Sequence, residues 1–421
     1  MITLTTIADA LKVLYINPIR EFVNMKADPL AARILQTSDN ITGYQKIVRA
    51  VQIGANGGAG AIANETDQLP VAGENLYKQF ESTTKNLFGT ISIADKTMKS
   101  ATQGPGSFIN ALQRDIDTLV ETLKFSVARQ IYGDGTGLLV ALQNASSSAT
   151  SVTVASGSIL FNVLPGLTVD IYNGTTKDSN GPFRIVDVNH STGVITIKAA
   201  SGTGLGSALT SNNGKMYMQG SKDAELTGLG KIFDSSTFTS LYGLTRSSFA
   251  WMNAYTDSSV GELTEWKIQD AINTIEDVYD VNINHIACGN TAYQYYMELM
   301  NFRRAINDVM ILEGGHKALK FNGMPLVRNK FLAPASIDLY DTTLFTIDQI
   351  ADWDWLDDGV HGILQRNARY ATYEGSIAKY CDLMCRLPAG LGRLTGITQP
   401  SNPMTVTVNN TVEAAASGTS G

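Results

Sequence analysis

The glycine-rich segment at 51–70 has the residue types and spacing closest to those of a chemical site. It reads VQIGANGGAGAIANETDQLP, and Gly58-x-Gly60-x-x-Ala63 within it matches the pattern of a dinucleotide-binding turn, with Glu81 at about the distance of a ribose ligand. Such a site needs a helix that opens at the third small residue, because the N-terminal amides of that helix bind the pyrophosphate. The continuation AIANETDQLP has no helical apolar period. We therefore expect no cofactor at this segment.

Other motifs of catalysis or metal binding are incomplete. Two Gly-Lys pairs are followed by Met216 and Ile232, where a phosphate-binding loop needs Ser or Thr. The four histidines are isolated from one another and from cysteine, so each is expected to be a surface or hydrogen-bonded residue. The sequence therefore predicts no enzyme activity and no bound metal.

The acidic run DWDWLDDG, which begins at Asp352, is the sharpest candidate for a calcium site. Its third ligand position holds Leu356, and its glycine is out of register with a calcium loop. Alternation instead predicts a strand end in which Trp353 and Trp355 point inward and the aspartates are solvated.

The three cysteines are Cys288, Cys381 and Cys385. An odd count in a chain without a leader argues against a disulfide framework. Cys381 and Cys385 lie on one face of a predicted strand, roughly 13 Å apart, which is too far for a disulfide. We predict buried, unpaired thiols.

The composition is that of a folded chain that does not cross a membrane. Its 421 residues, 43% of them hydrophobic, are enough for two or three structural units. It has no run of about 18 apolar residues, and its N-terminus does not read as a signal peptide, so folding in a cytoplasm is expected. The 32 basic and 39 acidic residues give a net charge of −7 with no basic block, which argues against direct DNA recognition.

Two strand-like segments, at 44–53 and 76–94, flank the glycine-rich segment and predict a long hairpin. Legs of this length reach on the order of 40–60 Å. A two-stranded ribbon is barely stable alone and has open edges, so we expect its apolar side chains to lie on another copy of the protein. The expected subunit-interface residues are Gly57, Gly58, Gly60, Leu69, Pro70, Leu76, Tyr77, Phe80, Leu87 and Phe88.

Helical and strand periods alternate along the rest of the chain. Apolar residues at steps of three and four predict a helix of about 25 residues, close to 38 Å long, between Ser107 and Gly133. Short period-2 strands separated by small polar residues predict an inserted antiparallel β unit at 141–220. The remaining expected elements are short helices at 6–15 and 27–35, helices at 262–279 and 291–302, later strands, and a tail at 399–421 with the composition of a disordered segment.

This order of parts resembles the major capsid protein family of tailed bacteriophages, with the Hong Kong 97-type capsid fold. The matching stretches are ADALKVLYINPI, ARQIYGDGTG, FNGMPLVRNKFLA leading into IDLYDTT, and YEGSIAKYCDLMCRLPAGLGRLTGI. The resemblance covers nearly the whole chain and lies in the ordered series. It implies an α+β fold with an N-terminal arm, an extended hairpin (the E-loop) that overlaps the adjacent subunit, a long spine helix, an axial domain and an inserted antiparallel β domain.

The resemblance also implies boundaries for these parts. They are the N-terminal arm 1–43, the E-loop 44–100 with its tip at 54–75, the peripheral domain 101–140 with the spine helix at 107–132, the inserted β domain 141–220, the continued peripheral domain 221–282, the axial domain 283–360, the peripheral strands 361–398 and the C-terminal tail 399–421.

The implied function is structural. The family forms hexamers and pentamers that close into an icosahedral head around double-stranded DNA, which the shell contacts non-specifically, after assembly in the host bacterial cytoplasm. The implied partners are other copies of the chain, a scaffolding protein, a portal and a decoration protein. Only about 43 residues precede the hairpin, so a separate scaffolding protein and no N-terminal cleavage are expected. Some members cross-link an E-loop lysine to a neighbour's asparagine; Lys78 and Lys85 are available, but no acid can be assigned to them from sequence and we expect no such cross-link.

Three alternatives stay open at this point. The first is an encapsulin-like nanocompartment shell, although the inserted domain and the length of the chain count against it. The second is a nucleotide-dependent enzyme that uses the Gly58-x-Gly60-x-x-Ala63 motif. The third makes the inserted β domain a glycan-binding module, for which no residue identifies a site.

Overall fold

The computed structural model of the chain describes residues 16–43, 45–54, 56–63, 68–96, 105–210, 213–302, 309–311, 317–356, 364–366 and 370–400. The α-helices in these residues are α1 Ile16–Met25, α2 Pro105–Tyr132, α3 Leu229–Phe233, α4 Glu265–Tyr279 and α5 Asn290–Phe302.

The strands of the described residues are short in the first half of the chain and longer near its end. In chain order they are β1 Leu35–Thr37, β2 Ile41–Thr42, β3 Lys46–Gln52, β4 Tyr77–Thr83, β5 Lys85–Ala94, β6 Leu138–Leu142, β7 Ser151–Thr153, β8 Thr168–Asn173, β9 Thr176–Lys177, β10 Phe183–Asn189, β11 Val194–Ala199, β12 Gly214–Met218, β13 Ser240–Leu241, β14 Leu244–Thr245, β15 Tyr255–Asp257, β16 Gly261–Glu262, β17 His285–Cys288, β18 Val309–Ile311, β19 Lys317–Phe321, β20 Met324–Arg328, β21 Ile337–Tyr340, β22 Phe345–Trp355, β23 Gln365–Arg366, β24 Thr372–Cys385, β25 Gly392–Leu394 and β26 Ile397–Thr398.

The longest strands form a five-stranded sheet packed against α2, which we call the spine sheet. Its central strand β24 pairs antiparallel with β22, β23 and β5, and β1 pairs in parallel with β22. The 28 residues of α2 span about 42 Å, which confirms the predicted long helix. The helix crosses β5 at Gly89, where an added Cβ would lie 3.1 Å from side-chain carbons of Leu119 and Leu123.

The position of β5 differs from the sequence prediction. We expected 76–94 to form one leg of the projecting hairpin. The strand is instead interrupted at Thr84, and β5 pairs with β24 over its whole length. Alternate residues of β5, among them Leu87 and Ile91, are buried toward α2, so this strand gains more burial in the sheet than on a two-stranded projection. β3 and β4 remain as a ribbon, with the short strand β2 paired on β3 at its base, and seven residues per strand of β3 and β4 span about 23 Å.

The inserted β unit is a small closed barrel. Its strands follow the order β6-β12-β8-β10-β11-β7, with β9 paired on β8. The first and last strands of this order, β6 and β7, also meet. Leu142 forms an antiparallel β-bridge with Val154, and the amide of Gln143 donates to the carbonyl of Thr153 at 2.8 Å. Closure removes the open strand edges. The interior is filled by buried apolar side chains: Val140, Leu142, Val152, Val169, Ile171, Phe183, Ile185, Ile195, Ile197 and Met216.

The barrel begins slightly earlier than the sequence predicts, at the first residue of β6. Its first and last strands, β6 and β12, are antiparallel neighbours, with Leu138 opposite Tyr217. The chain therefore enters and leaves the barrel at adjacent points, which is the geometry of a tolerated insertion. The predicted hairpin around the NHSTG turn is confirmed as β10 and β11.

A second mixed sheet, which we call the distal sheet, has its own hydrophobic core. Its strand order is β15-β25-β21-β17-β20-β19-β18, and the buried residues of α4, together with Ala292 and Tyr296 of α5, belong to the same core. Helix α4 begins after Thr264, whose Oγ1 accepts from the amide of Lys267 at 3.3 Å, and ends at Asp280 in the left-handed region with φ 51°. β22 pairs in the spine sheet, although its residues fall within the expected axial span 283–360.

Several smaller predictions have mixed outcomes. Trp353 and Trp355 are buried as predicted, and the three cysteines are buried and free. The expected helix at 27–35 is wrong, because this segment contains a 3₁₀ turn at Ala31–Arg33 and the first residue of β1, whereas a helix that was not predicted forms at α1. The expected helix at 6–15 and residues 401–421 of the expected tail lie outside the described residues.

Candidate intersubunit arm

The candidate functional element is the ribbon of β3 and β4 together with the loop 53–76, which we call the arm. Its strands pair antiparallel from Lys46 opposite Thr83 to Gln52 opposite Tyr77. One further backbone bond, 2.8 Å from the amide of Ile53 to the carbonyl of Leu76, extends this ladder into the loop. The described residues of the loop beyond this bond contain no helix or strand.

The base of the arm is fixed to the body of the subunit by an aromatic cluster. Phe80 is fully buried, and its ring centroid lies 5.2 Å from that of Tyr242 and 5.5 Å from that of Trp251. The amide of Glu81 donates to the carbonyl of Tyr242 at 3.0 Å. Complete burial of a phenylalanine contributes about 1.5–3 kcal/mol from area alone, so the base is a rigid anchor.

A buried carboxylate adds a second anchor at the base. Asp382 of β24 accepts hydrogen bonds from Oγ of Ser82 at 2.5 Å, from the amide of Thr227 at 2.7 Å and from Oγ1 of Thr227 at 3.0 Å. Burial raises the pKa of Asp382, and these hydrogen bonds oppose that shift by stabilising the ionised form. The carboxylate thus holds β4, the loop before α3 and the spine sheet together.

The glycines of the arm allow its two legs to approach each other. An added Cβ on Gly58 would lie 3.0 Å from the amide nitrogen of Gly73, and one on Gly60 would lie 3.2 Å from Cγ of Pro70. A Cβ on Gly73 would collide with Oδ1 of Asn56. None of these three glycines has a positive φ. Their role is therefore close backbone packing.

Large apolar side chains on the arm are exposed in the isolated subunit. Leu69 is 72% exposed and Val71 is 79% exposed, and more than half of Leu76 and of Tyr77 is also accessible. Several such residues on one narrow projection are typical of an interaction surface.

The ten predicted interface residues fall into three groups. Seven lie on the arm and are exposed or half-buried: Gly57, Gly58, Gly60, Leu69, Pro70, Leu76 and Tyr77. Phe88 is exposed too, but it lies on β5 of the spine sheet, with its ring edge-on to Tyr380 at 6.1 Å. Phe80 and Leu87 are buried inside their own subunit and offer no surface to a neighbour, because β4 and β5 bury those faces on the aromatic cluster and α2.

The described residues offer little for metal binding or thiol chemistry. They contain no group of three or more His, Cys, Asp or Glu residues that could hold a metal ion. His285 is fully buried, and burial lowers its pKa to about 3, so it is neutral at physiological pH. Burial raises the pKa of Cys381 and of Cys385 to about 12, which keeps both as unreactive thiols. Among the described helices, none is both long and apolar enough to cross a bilayer.

The described residues around the nucleotide-like motif form no helix. Residues 56–63 contain a turn and irregular backbone, and no helix starts in the described part of the loop that follows. The helix N-terminus needed to bind a pyrophosphate is therefore missing at the described residues.

The partners that fix the arm could not be read from the sequence. Tyr242, Trp251 and Asp382 lie 162 to 300 residues away from their partners on β4, since Phe80 packs on Tyr242 and Trp251 and Ser82 bonds to Asp382. The only local signal is the aromatic segment FAW at 249–251, whose composition suits a core but does not indicate which strand it covers.

The architecture is found in known capsid proteins. The capsid asymmetric unit of cyanophage A-1(L) aligns with 90% of this chain and 93% of its own, with a TM-score of 0.50 and 9% identity. The capsid of an empty GTA particle aligns with 88% of this chain and 90% of its own, with a TM-score of 0.45 and 10% identity. The holo-SrpI encapsulin complex of Synechococcus elongatus aligns over 87% of both chains, with a TM-score of 0.42 and 8% identity. No protein-family model and no curated protein sequence matches the chain.

Identities this low bear on the fold alone, and the cyanophage protein shares that fold over nearly its full length. The described residues combine the long α2 helix on the spine sheet with the projecting arm and the distal sheet. The chain therefore has the α+β fold of tailed-phage capsid proteins, the Hong Kong 97-type capsid fold.

Proposed function

We propose that this chain is the major capsid protein of a tailed bacteriophage, a structural protein that assembles with copies of itself into hexamers and pentamers of an icosahedral head. The observation that carries the proposal is the arm, which is anchored rigidly at its base and carries exposed Leu69, Val71, Leu76 and Tyr77 along its outer part. A second copy of the chain is the partner that a closed shell of identical subunits requires.

The energetics of such an arm favour assembly through many modest contacts. Full burial of each large apolar side chain contributes about 1.5–3 kcal/mol, from which the loss of rotational freedom must be subtracted. Each subunit both inserts an arm and receives one, so contacts repeat around a capsomer and add through multivalency. Weak single contacts also allow misplaced subunits to leave during assembly.

The charge of the chain suits an enclosing role better than a DNA-reading role. With a net charge of −7, the shell would contact packaged double-stranded DNA only non-specifically. We infer the same partners that the sequence resemblance implies: a separate scaffolding protein, a portal and a decoration protein, with assembly in the host bacterial cytoplasm and residence in the virion. The domain boundaries assigned from that resemblance are part of this proposal.

Assembly of purified protein tests the proposal. The chain, with the scaffolding protein of the same phage, should sediment as large particles and give closed shells by electron microscopy. The double variant Leu69→Asp with Val71→Asp should remain as monomers or free capsomers, because it places two charges on the surface that is to be buried. The matched control is Val186→Asp, which changes an exposed valine of the barrel.

Two results would contradict the proposal. Wild-type protein that stays monomeric in the presence of its scaffolding protein would show that the chain does not self-assemble. If shells purified from the producing cells contain a cargo enzyme and no DNA, the function is that of a nanocompartment of the same fold and not that of a phage head.

A further inference from the structure

Lysine, asparagine and aspartate side chains meet between α1 and the spine sheet. Lys379 of β24 is only 3% exposed, and its Nζ donates to Oδ1 of Asn24 at 3.0 Å and to Oδ1 of Asp352 at 2.9 Å. Its third acceptor is Oε1 of Gln36 at 2.9 Å. Asn24, near the end of α1, donates through Nδ2 to the two carboxylate oxygens of Asp352 at 3.0 and 3.2 Å. The prediction of solvated aspartates therefore holds for exposed Asp354 but only in part for Asp352, which is half-buried in this cluster.

The hydrogen bonds fix which way the Asn24 amide faces. Its oxygen faces the ammonium of Lys379, and its nitrogen faces the carboxylate of Asp352. The reverse orientation would place two donors together and two acceptors together, so it is disfavoured. As a result, the amine is hydrogen-bonded to the oxygen of the amide that it would attack, and the nitrogen that would depart is hydrogen-bonded to the carboxylate of Asp352.

We propose that Lys379 and Asn24 form an isopeptide bond within the same chain, with Asp352 carrying the protons. Neither Lys78 nor Lys85 takes part, and no neighbouring subunit is needed. The proposal rests on the geometry of this cluster and is independent of the proposed shell function.

The first step is the movement of one proton along the bond between Lys379 and Asp352. Burial acts to raise the pKa of Asp352, but Lys379 and the hydrogen bonds from Asn24 and Trp353 lower it below its ordinary value, so the resting pair is an ammonium and a carboxylate. Arg20, with Nε 3.8 Å from Oδ2 of Asp352, supports the same resting state. Proton transfer gives a neutral amine and a carboxylic acid, a change that costs least where water is excluded.

The surroundings of the cluster exclude water on one side. A small cavity beside Lys379 is lined mainly by apolar side chains, among them Val23, Leu87, Val127 and Trp353. In such a medium an amine is both unsolvated and held in place, which favours nucleophilic attack.

The bond-forming step then balances without an oxidant or cofactor. The lone pair of Nζ attacks Cγ of Asn24, so the Nζ–Cγ bond forms and the Cγ–Nδ2 bond breaks. Asp352 gives its proton to Nδ2 and takes one from Nζ, as a general acid and then a general base. Ammonia leaves, takes the remaining proton from Asp352 as ammonium, and restores the carboxylate. The product joins two residues that are 355 positions apart, which would hold α1 permanently on the spine sheet.

Intact mass spectrometry of the full-length chain under denaturing conditions tests this proposal, before and after assembly. The expected wild-type mass is lower than the sequence mass by one ammonia, and protease digestion should release a branched peptide that joins Asn24 to Lys379. Lys379→Arg and Asp352→Asn should each keep the full mass and lack the branched peptide. Lys46→Arg changes a lysine that pairs with Glu81 on the arm at 2.6 Å, so it should lose ammonia as the wild type does.

The outcomes separate this bond from other modifications. Cyclisation of Asn24 onto its own backbone would also release ammonia, but it would persist in Lys379→Arg, and that result would overturn the proposal. Wild-type protein at full mass in both the free and the assembled state would overturn it as well, even if the variants failed to fold.

Discussion

Gly73→Ala is expected to weaken assembly while leaving the subunit folded. A methyl group at Gly73 would meet Oδ1 of Asn56, the amide nitrogen of Gly57 and, at 2.7 Å, the amide nitrogen of Gly58. Two of these three atoms are backbone, so the legs of the arm must separate. Overpacking of this kind costs about 1–3 kcal/mol. Apart from Ile53 at its start, the described residues of the arm loop contribute nothing to the hydrophobic core, so we expect the cost to fall on the arm conformation and not on global stability.

The size of the assembly defect follows from that cost. If the neighbour binds the closed arm, each contact loses apparent affinity by about 5- to 150-fold. The critical concentration for shell formation, measured by light scattering or sedimentation over a dilution series, should rise within that range. The melting temperature of the free subunit should be unchanged.

Gly57→Ala is the matched control for this experiment. Gly57 lies on the same arm, and an added Cβ there has no atom within 4 Å. Both substitutions reduce the freedom of the unfolded chain equally, so that effect cancels in the comparison. Equal critical concentrations for the two variants would refute the close-packing explanation, and a large fall in melting temperature for Gly73→Ala alone would show that the arm tip is part of the core.

Two further predictions concern the anchors at the base of the arm. Phe80→Ala should lower the free energy of unfolding by about 3–5 kcal/mol in denaturant titrations, because it empties the site between two aromatic rings. The control Phe88→Ala, at an exposed position, should cost less than about 1 kcal/mol. Similar losses for both variants would contradict the role of Phe80 as an anchor. The raised pKa of Asp382 means that the folded state binds a proton more tightly than the unfolded state, so this group makes stability fall as pH rises from about 4 through the folded pKa. Asp382→Asn should flatten that part of the stability–pH curve, and an unchanged slope would show that other groups cause it.

Local patterns in the sequence were sufficient to predict those elements in which the period of the apolar residues alone sets which face is buried. The apolar steps of α2 and the alternation in the β10–β11 hairpin both predicted the observed structure, because each element presents one face to a core whatever that core is made of. The ordered series of motifs also predicted the fold class, since order along the chain survives at 9% identity to a protein of the same fold.

Strand partners were not predictable in the same way. β4 and β5 read as one continuous strand, yet β4 pairs with β3 on the arm and β5 pairs with β24 in the spine sheet. Period-2 alternation specifies which face of a strand is buried but not which strand lies beside it. The expected length of the arm was too great for this reason.

The sequence by itself therefore determined the types of the main elements and their order. Only the tertiary structure decided what the arm glycines and the buried polar groups do. The role of Gly73 depends on the opposite leg of the loop, and the Lys379 cluster joins residues 27 and 355 positions away. Such contacts depend on the distance between segments in space, which a local period does not encode.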